Sequence, residues 1–583
     1  MLLQAAQLSV RYIYSNFTII TWLITGIILL YYLLLFPFFI SPLRKIPGPY
    51  FNRISGFRAL NRQRTFNWIS SVHEWHRKYG HVIILSPNEI SVDGNSLFIN
   101  DIYIKNFPKS SFYENFRNHG FKDNIFASLE NDRHLRYKKL IMGLYSKSAI
   151  FSKTNRIRSI LVQKTAYLVK DIYTSSVTAE VPDIINAKSE LNEFGMGHEK
   201  KDGKWFNPSG KARNIGIDVY SLFASLAMDV VSSFEVGKDN GTDFLNHPAQ
   251  RHMIIKHRIQ ASMVFWTTLM PRFWNWAASK SVLEALKEVE EWQLNLYNNA
   301  EKNVPKFNDD ENMTTLETLK KNGFKGTNAY TFLSDNIFAG HETTAILLAY
   351  LTYELSRPVN FSKQELLHQE LYRTFGKPST VEDNIDDLEA VDKLPYLSAL
   401  LDENLRVHAS IPGAEPRIVD RPYNVKLEDG SQIKIPLGTT ISCQVYSMHR
   451  NSTVFPDPYR FIPERWLKYD NESESNYSRR ITKQQKHMMP FGKGIRMCLG
   501  MNIALIEMKL AIANLYWHFN SKICPDWCKI TEYEDDDKSP RPIEIGVQNM
   551  GNNVTDEEKM VMNDAYTTRP INDECWLEWY ENS

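Results

Sequence analysis

One cysteine stands in a glycine-punctuated loop, Phe491-Gly-Lys-Gly-Ile-Arg-Met-Cys-Leu-Gly500, directly before the helical pattern Met501-Asn-Ile-Ala-Leu-Ile-Glu-Met-Lys-Leu510. Gly494 and Gly500 permit backbone geometry that a side chain would block. Arg496, two residues before Cys498, and the start of a helix both supply positive potential, which favours thiolate over thiol. A thiolate presented by a rigid loop suits an iron ligand. The plainer alternative is a structural cysteine beside a helix cap, and five fixed positions within ten residues argue against it.

A second group is Ala339-Gly-His-Glu-Thr-Thr344, inside an apolar helical pattern from about Thr327 to Ser356 that Pro358 stops. Such a helix crosses a core. Gly340 weakens it by about 1 kcal/mol relative to alanine. Thr343 and Thr344 can bond back to carbonyls one turn earlier. Local rules broken inside a buried helix mark a place where function is expected. Glu403 and Arg406 lie three apart on a further short helix starting near Pro395, so they share a face. Alone that pair reads as a solvated ion pair. The segment Phe461-Ile-Pro-Glu-Arg465-Trp466 carries a further arginine.

The pattern F-x-x-G-x-R-x-C-x-G resembles the haem-thiolate loop of cytochromes P-450, and A-G-x-E-T-T resembles their distal-helix motif. The resemblance runs from the N-terminal apolar segment to the tail, and the wider phrasing (Tyr79-Gly-His-Val, Ser86-Pro-Asn-Glu, Phe455-Pro-Asp-Pro458) is similar to fungal microsomal members. It implies haem b with Cys498 as the axial ligand and Phe491, Gly494, Arg496 and Gly500 shaping its loop. It implies a helix that bulges at Ala339 and Gly340 to make room for O2, with Glu342 and Thr343 guiding protons. Glu403, Arg406 and Arg465 would lock the segment beneath the cysteine loop. The haem propionates would meet Arg417, Arg496, His134 in place of the family's tryptophan, and Lys138 in place of its arginine. The pocket would take Phe112, Tyr113, Phe116 and Phe126 from the segment Ser111 to Phe126, with Phe338, Ala339, Ile411 and Ala414. The implied activity is insertion of one oxygen atom of O2 into a lipophilic substrate. Electrons would come from NADPH through a reductase, with cytochrome b5 as a further donor. The basic helix carrying Arg136, Lys138 and Lys139 would form part of the docking face. An electron-independent haem-thiolate isomerase or dehydratase, or a non-catalytic haem-binding membrane protein, are the rivals; Glu342 and Thr343 argue against the first.

These residues need a scaffold, and the patterns supply a mainly α protein with a small β subdomain, the P-450 fold behind one transmembrane helix. Short strands are expected at Val82–Leu85 and Glu89–Val92 around Pro87-Asn88, and at Tyr423–Leu427, Gln432–Ile435 and Thr439–Ser442. Phe17 to Phe36 is almost wholly apolar, long enough to span a bilayer. Six Lys and Arg residues follow it before Glu74, so the positive-inside rule puts the body in the cytosol, at the endoplasmic reticulum membrane. The expected divisions are a lumenal segment 1–16 with a glycosylation triplet at Asn16, an anchor 17–40, a proline hinge 41–50, a catalytic domain 51–550 and an exposed acidic tail 551–583, whose Trp576 and Trp579 are the groups that could dock on the body. The stretches 186–214 and 471–486 read as loops by composition. A net charge of +1 in 583 residues gives no reason to expect nucleic-acid binding, and five scattered cysteines argue against a disulfide framework. Cys524 and Cys528 read as structural.

Overall fold

The computed structural model describes residues 17–582 apart from 94–95, 117–123, 181–198, 202–203, 207–208, 262, 271, 304–312, 533–544 and 547–553. The elements that matter for the site are the helices α1 (Phe17–Ile40) and α2 (Trp68–Tyr79), the hairpin β1 (Val82–Ser86) and β2 (Glu89–Val92), α3 (Asn131–Ile141) and α4 (Arg156–Ile172). Then come β3 (Ile217–Asp218), α5 (Val219–Val236), α6 (His252–Ala261), α7 (Lys280–Asn303), α8 (Thr327–Ser356), α9 (Phe361–Phe375) and α10 (Pro395–Val407). They are followed by β4 (Arg417–Ile418), β5 (Tyr423–Lys426), β6 (Gln432–Ile435), β7 (Thr440–Cys443), α11 (Glu474–His487), α12 (Met501–His518), β8 (Phe519–Ile523) and β9 (Trp576–Glu581).

Helices α5, α8 and α12 are apolar nearly all round and form the main core. This explains why α5, long and apolar enough to cross a membrane, is not lipid-facing: its residues are buried between neighbouring helices. α8 starts at Gly326, whose φ of +56° suits glycine, and ends one residue before the Arg357–Pro358 step. Its C-terminal half, Thr344 to Ser356, is wholly buried, whereas Asp335, Phe338, Ala339 and Thr343 are not. Asp335 and Phe338 are three apart, and Asp335, Ala339 and Thr343 follow one another four apart, which puts these side chains on one stripe. α8 is α-helical throughout, without the expected bulge. A Cβ at position 340 would lie 2.7 Å from Val231 Cγ2 on α5, so Gly340 is required by the close approach of two helices.

The small sheet runs β1–β2–β7–β4, antiparallel except for the parallel β2–β7 pair, in which Ile90 faces Ile441. β1 is buried on both faces: Val82 and Ile84 enter the β-domain cluster, while Ile83 and Leu85 meet Val72 and Trp75 of α2. The sheet's last strand, β4, begins with Arg417.

Two compositional expectations fail. Residues 474–487 form α11, capped by Ser473, whose Oγ accepts from Asn476 N. Polarity reflected its exposed face, not a loop. Part of the 186–214 stretch lies outside the described residues, and the remainder carries the hairpin Glu199–Lys201 and Lys204–Phe206. The tail is not an exposed appendage either. β9 lies between β8 and β3, and Trp579 is fully buried. Its acidic groups are spent on internal partners: Asp564 accepts from Ile69 N and Ser70 N at the start of α2, and Asp556 accepts from Tyr353 Oη at 2.7 Å. Charge count alone suggested solvation, and hydrogen bonding decided otherwise.

Candidate functional site

The cysteine loop doubles back sharply. Cys498 N donates to Phe491 O at 2.8 Å, and Gly492 and Gly494 have φ of +70° and +69°. A Cβ at 494 would fall 2.3 Å from Tyr103 O, so only glycine fits. Gly500 differs: its φ is −80° and no protein atom lies within 4 Å of where a Cβ would be. The Cys498 side chain is exposed to solvent, although the surrounding protein is dense enough to desolvate its thiol. Burial is the largest influence on its thiol and pushes it up from the ordinary value, opposed by the backbone N–H groups of Gly500 and Met501 and by Lys138. The helix start therefore acts in the expected direction, and the leading side-chain cation is Lys138; Arg496 is committed to other partners. Its guanidinium is turned to Ser128 O at 2.6 Å, Leu129 O at 2.8 Å and Asn131 Oδ1 at 2.9 Å.

Around this loop the chain collects cations. Lys138 donates to Ile495 O and Met497 O at 3.0 and 2.7 Å, tying α3 to the cysteine loop. Its ammonium is thus engaged by the loop itself, and Arg136 and Lys139 are the exposed members of the basic helix. His134 is buried, its imidazole pushed down to about 3 by burial and by Arg496, Lys109, Lys138 and Arg417, so it is neutral. Arg417 Nη1 donates to Tyr113 Oη at 3.1 Å, and its Nη2 pairs with Glu415 at 3.3 Å. Lys109 is a member of this group that its sequence context does not reveal. It is 8% exposed, donates to Phe126 O at 2.7 Å and lies over the Tyr113 and Phe126 rings. Burial, then Arg417 and Arg496, push its ammonium well below the ordinary value. Two buried polar atoms here, Arg417 Nε and His134 Nδ1, have no hydrogen-bond partner among the described residues. Buried polar groups of this kind ordinarily have one. An anionic group beside an uncovered thiol would supply what is missing, so the residues fit a haem with its carboxylates on this side.

The aromatic residues expected in the pocket do meet. Phe112 packs on Tyr113 and Phe116, and Phe126 packs on Tyr113 and Phe116, with ring centroids 5.2–5.5 Å apart. Tyr566, from the C-terminal segment, joins them against Phe112 and Phe116, at 5.8 and 5.0 Å. Phe338, Ile411 and Ala414 are half-buried, and Ala339 is exposed in mid-helix. Residues 117–123 lie outside the described residues. On the same stripe of α8, Thr343 Oγ1 donates to Ala339 O at 2.9 Å. Glu342 Oε1 accepts from Arg569 Nη1 at 3.2 Å.

The ion triad is assembled. Glu403 pairs with Arg406 at 2.7 Å and Arg465 at 3.2 Å, and also accepts from Trp466 Nε1 and Ile462 N. All three charged side chains are buried. Burial would raise the Glu403 carboxyl, but the two arginines hold it below its ordinary value. His449 carries the restraint onward. Its Nε2 accepts from Met489 N at 2.9 Å, so Nδ1 is the protonated nitrogen, 3.2 Å from Arg406 O. Burial and the neighbouring arginines push this imidazole down to about 3, which keeps it neutral. Met489 stands two residues before Phe491, so two bonds join the triad to the cysteine loop. No motif marked His449; its only signal was its place in Met448-His-Arg450 upstream of Phe455-Pro-Asp-Pro458.

Cys524 is buried beside Glu578, and Cys528 is half-buried on the core, in keeping with structural roles.

Comparison with known proteins places the chain among similar sequences. The family described as Cytochrome P450 matches residues 204–545, more than half of the chain. The chain is 26% identical over 532 residues to "Cytochrome P450 monooxygenase hkm5" of Aspergillus hancockii, covering 87% of this chain and 91% of that one. It is 27% identical over 502 residues to "Cytochrome P450 monooxygenase ABA2" of Pyricularia oryzae, covering 83% and 85%. With "Cytochrome P450 monooxygenase BOT1" of Botryotinia fuckeliana it shares 25% identity over 528 residues, covering 85% and 89%.

Proposed function

The chain belongs to the cytochrome P450 family and is a haem-dependent monooxygenase, and from that premise we propose that it is a microsomal enzyme oxidising a lipophilic substrate. NADPH electrons would reach it through a reductase, with cytochrome b5 as a second donor. The anchor is α1, with the body on the cytosolic face of the endoplasmic reticulum. The haem is haem b. The observation that carries the site assignment is the uncovered Cys498 thiol beside a cation cluster with two orphaned polar atoms.

In this reading Cys498 would hold the haem iron and Arg417 and His134 would hold its carboxylates, with Arg496 and Lys138 holding the surrounding backbone. When bound, haem supplies dioxygen activation and the oxidising power that protein side chains lack. The chain supplies the rest. Phe112, Tyr113, Phe116, Phe126 and Phe338 make an apolar wall that selects a lipophilic substrate and excludes water. Thr343 presents its hydroxyl from the uncovered stripe of α8. Its proton now points to Ala339 O, so donation into the site requires that bond to turn over. Glu342, the next residue back, replenishes the proton. Proton transfer by a positioned group is worth about 10²–10⁴-fold.

The test is a reduced carbon-monoxide difference spectrum on the membrane-bound protein. It is followed by a substrate screen by spin-state shift, then NADPH oxidation with a microsomal reductase and product mass spectrometry. A thiolate-type band with NADPH-dependent oxygenation supports the reading. Product formation without NADPH consumption overturns it.

A further inference from the structure

The C-terminal segment reaches the proton-delivering pair from outside the helix that carries it. Arg569 is 8% exposed and Glu342 is 7% exposed, and their side chains meet at 3.2 Å. The guanidinium is aimed from its other side: Arg569 Nε forms an ion pair with Asp573 at 2.6 Å. Asp573 adopts a φ of +57°, uncommon outside glycine, with its N–H on Pro570 O and its carbonyl accepting from Arg258 Nη1 on α6. One residue before Arg569, Thr568 Oγ1 donates to Ala409 O at 3.1 Å and Thr568 N donates to Ser410 O. Ser410 Oγ in turn donates to Thr343 O at 2.8 Å. The same few residues therefore hold Glu342 through a side chain and Thr343 through its carbonyl.

We infer that Arg569 is a positioning residue for proton delivery, supplied to Glu342 by the C-terminal segment and aimed by Asp573. This rests on the reading of Glu342 and Thr343 as the proton-delivering pair. A guanidinium on Oε1 fixes the carboxylate in one rotamer and leaves Oε2 to exchange protons with Thr343 or with water. Without it, the buried carboxylate loses the partner that fixes its rotamer, and small misplacements of reacting groups are costly in rate, about 10²-fold for roughly 1 Å. The pair also faces Tyr220 on α5, His341 on α8 and Arg258 on α6. Arg569 is thus one cation in a buried network that joins the α8 stripe to α5, α6 and the chain's end.

The experiment uses the full-length, haem-loaded protein with reductase and a substrate identified by spin-state shift. Product per NADPH oxidised and hydrogen peroxide are measured together for Glu342→Gln, Arg569→Gln, Arg569→Lys, Asp573→Asn and the Glu342→Gln/Arg569→Gln double variant. Haem content, melting temperature and the substrate-induced spectral shift are recorded for each. Arg569→Gln should lower product per NADPH roughly tenfold, with peroxide replacing product, while the spectral shift persists. Arg569→Lys should restore most of the coupling, and Asp573→Asn should give a smaller loss in the same direction. In the Glu342→Gln background the Arg569→Gln change should add nothing. If Glu342→Gln uncouples the enzyme but neither Arg569→Gln nor Asp573→Asn does, the positioning role is overturned and the proton-relay reading stands. Unchanged coupling in Glu342→Gln overturns the relay reading itself. Should Arg569→Gln lose haem or melt early, Asp573→Asn decides the question, because it leaves the Arg569 charge in place.

Discussion

At the scale of single residues, the site depends on side chains held away from their easiest alternatives. Cys498 is a thiol raised by burial and partly relieved by Gly500 N–H, Met501 N–H and Lys138. Metal coordination by the thiolate would repay the cost of ionising it there. Cys498→Ser should therefore keep the fold and lose the thiolate-type Soret band of the reduced carbon-monoxide complex along with all turnover; the difference spectrum of the variant checks this. Thr343 has the opposite problem. Its hydroxyl is satisfied by Ala339 O and needs no partner in the site. Thr343→Ala should thus cost little stability, within about 0.5 kcal/mol for a side chain not fully buried. It should leave haem and substrate binding intact. Product per NADPH should fall by about 10²-fold or more, with peroxide appearing in its place, as measured by parallel product and peroxide assays.

At the scale of elements, the triad is a joint between α10, the Phe461–Trp466 segment and the cysteine loop. Removing Glu403 leaves two buried guanidiniums uncompensated, at about 3–5 kcal/mol. Glu403→Ala should accumulate as haem-poor protein, read from the ratio of Soret to protein absorbance. His449→Ala tests the onward link: it orphans Met489 N at about 1–3 kcal/mol and should release haem faster than wild type, with Glu403 and its arginines still in place. The joint also has a pH signature. Glu403 is held below its ordinary value in the folded state, and the unfolded carboxyl titrates near about 4.3. Its contribution is full above that value and is lost as the pH falls through the lower folded value. Acid unfolding followed by Soret loss should shift to milder pH in Arg465→Met, which removes one of the two charges holding Glu403 ionised. The triad was legible only through the family resemblance, because the Glu403–Arg406 spacing alone reads as a solvated ion pair and no spacing joins it to Arg465. His449 was not, because a neutral histidine bonded between two backbone groups leaves no charge pattern. α11 was missed for a related reason: its buried contacts are few, Gln484 and His487, while Arg480 binds Leu467 O and Glu472 at the end of the Phe461–Trp466 segment. A helix that packs through polar atoms has no apolar stripe to read.

At the scale of the whole molecule, apolar patterning identified the helices but could not say what covers them. α1 and α5 pass the same length and hydropathy criteria, yet α5 is enclosed by α8 and α4 while α1 stands almost wholly exposed. The C-terminal 30 residues were misread because their acidic groups pair inward, and that is where Arg569 and Tyr566 enter the site. α1 ends at Ile40, with Pro37 already buried, and the chain then becomes part of the body: Leu43 is 2% exposed and Ile46 is fully buried beside the β1 hairpin. Gly48 has φ of +145° and sits against Ile84, so the hinge is packed as well as bent. The boundary for removing the anchor follows from this. Deleting residues 1–36 should free the body from α1 while keeping the buried hinge, and haem content should match that of the full chain. Deleting through 46 strips Leu43 and Ile46, at about 1.5–3 kcal/mol each if fully buried, and should lower the melting temperature. Release from membranes should be partial in the shorter deletion. Phe39, Phe51, Phe57 and Trp276 remain exposed apolar groups, 64–82% uncovered, and Arg44, Lys45 and Arg53 lie close to the first two in sequence, favouring anionic lipid surfaces. Flotation of the 37–583 form with anionic vesicles at low and high salt is the measurement. Binding that weakens with salt but does not vanish is expected. Loss of haem on deleting residues 1–36 would instead make α1 part of the folded body and not a membrane anchor.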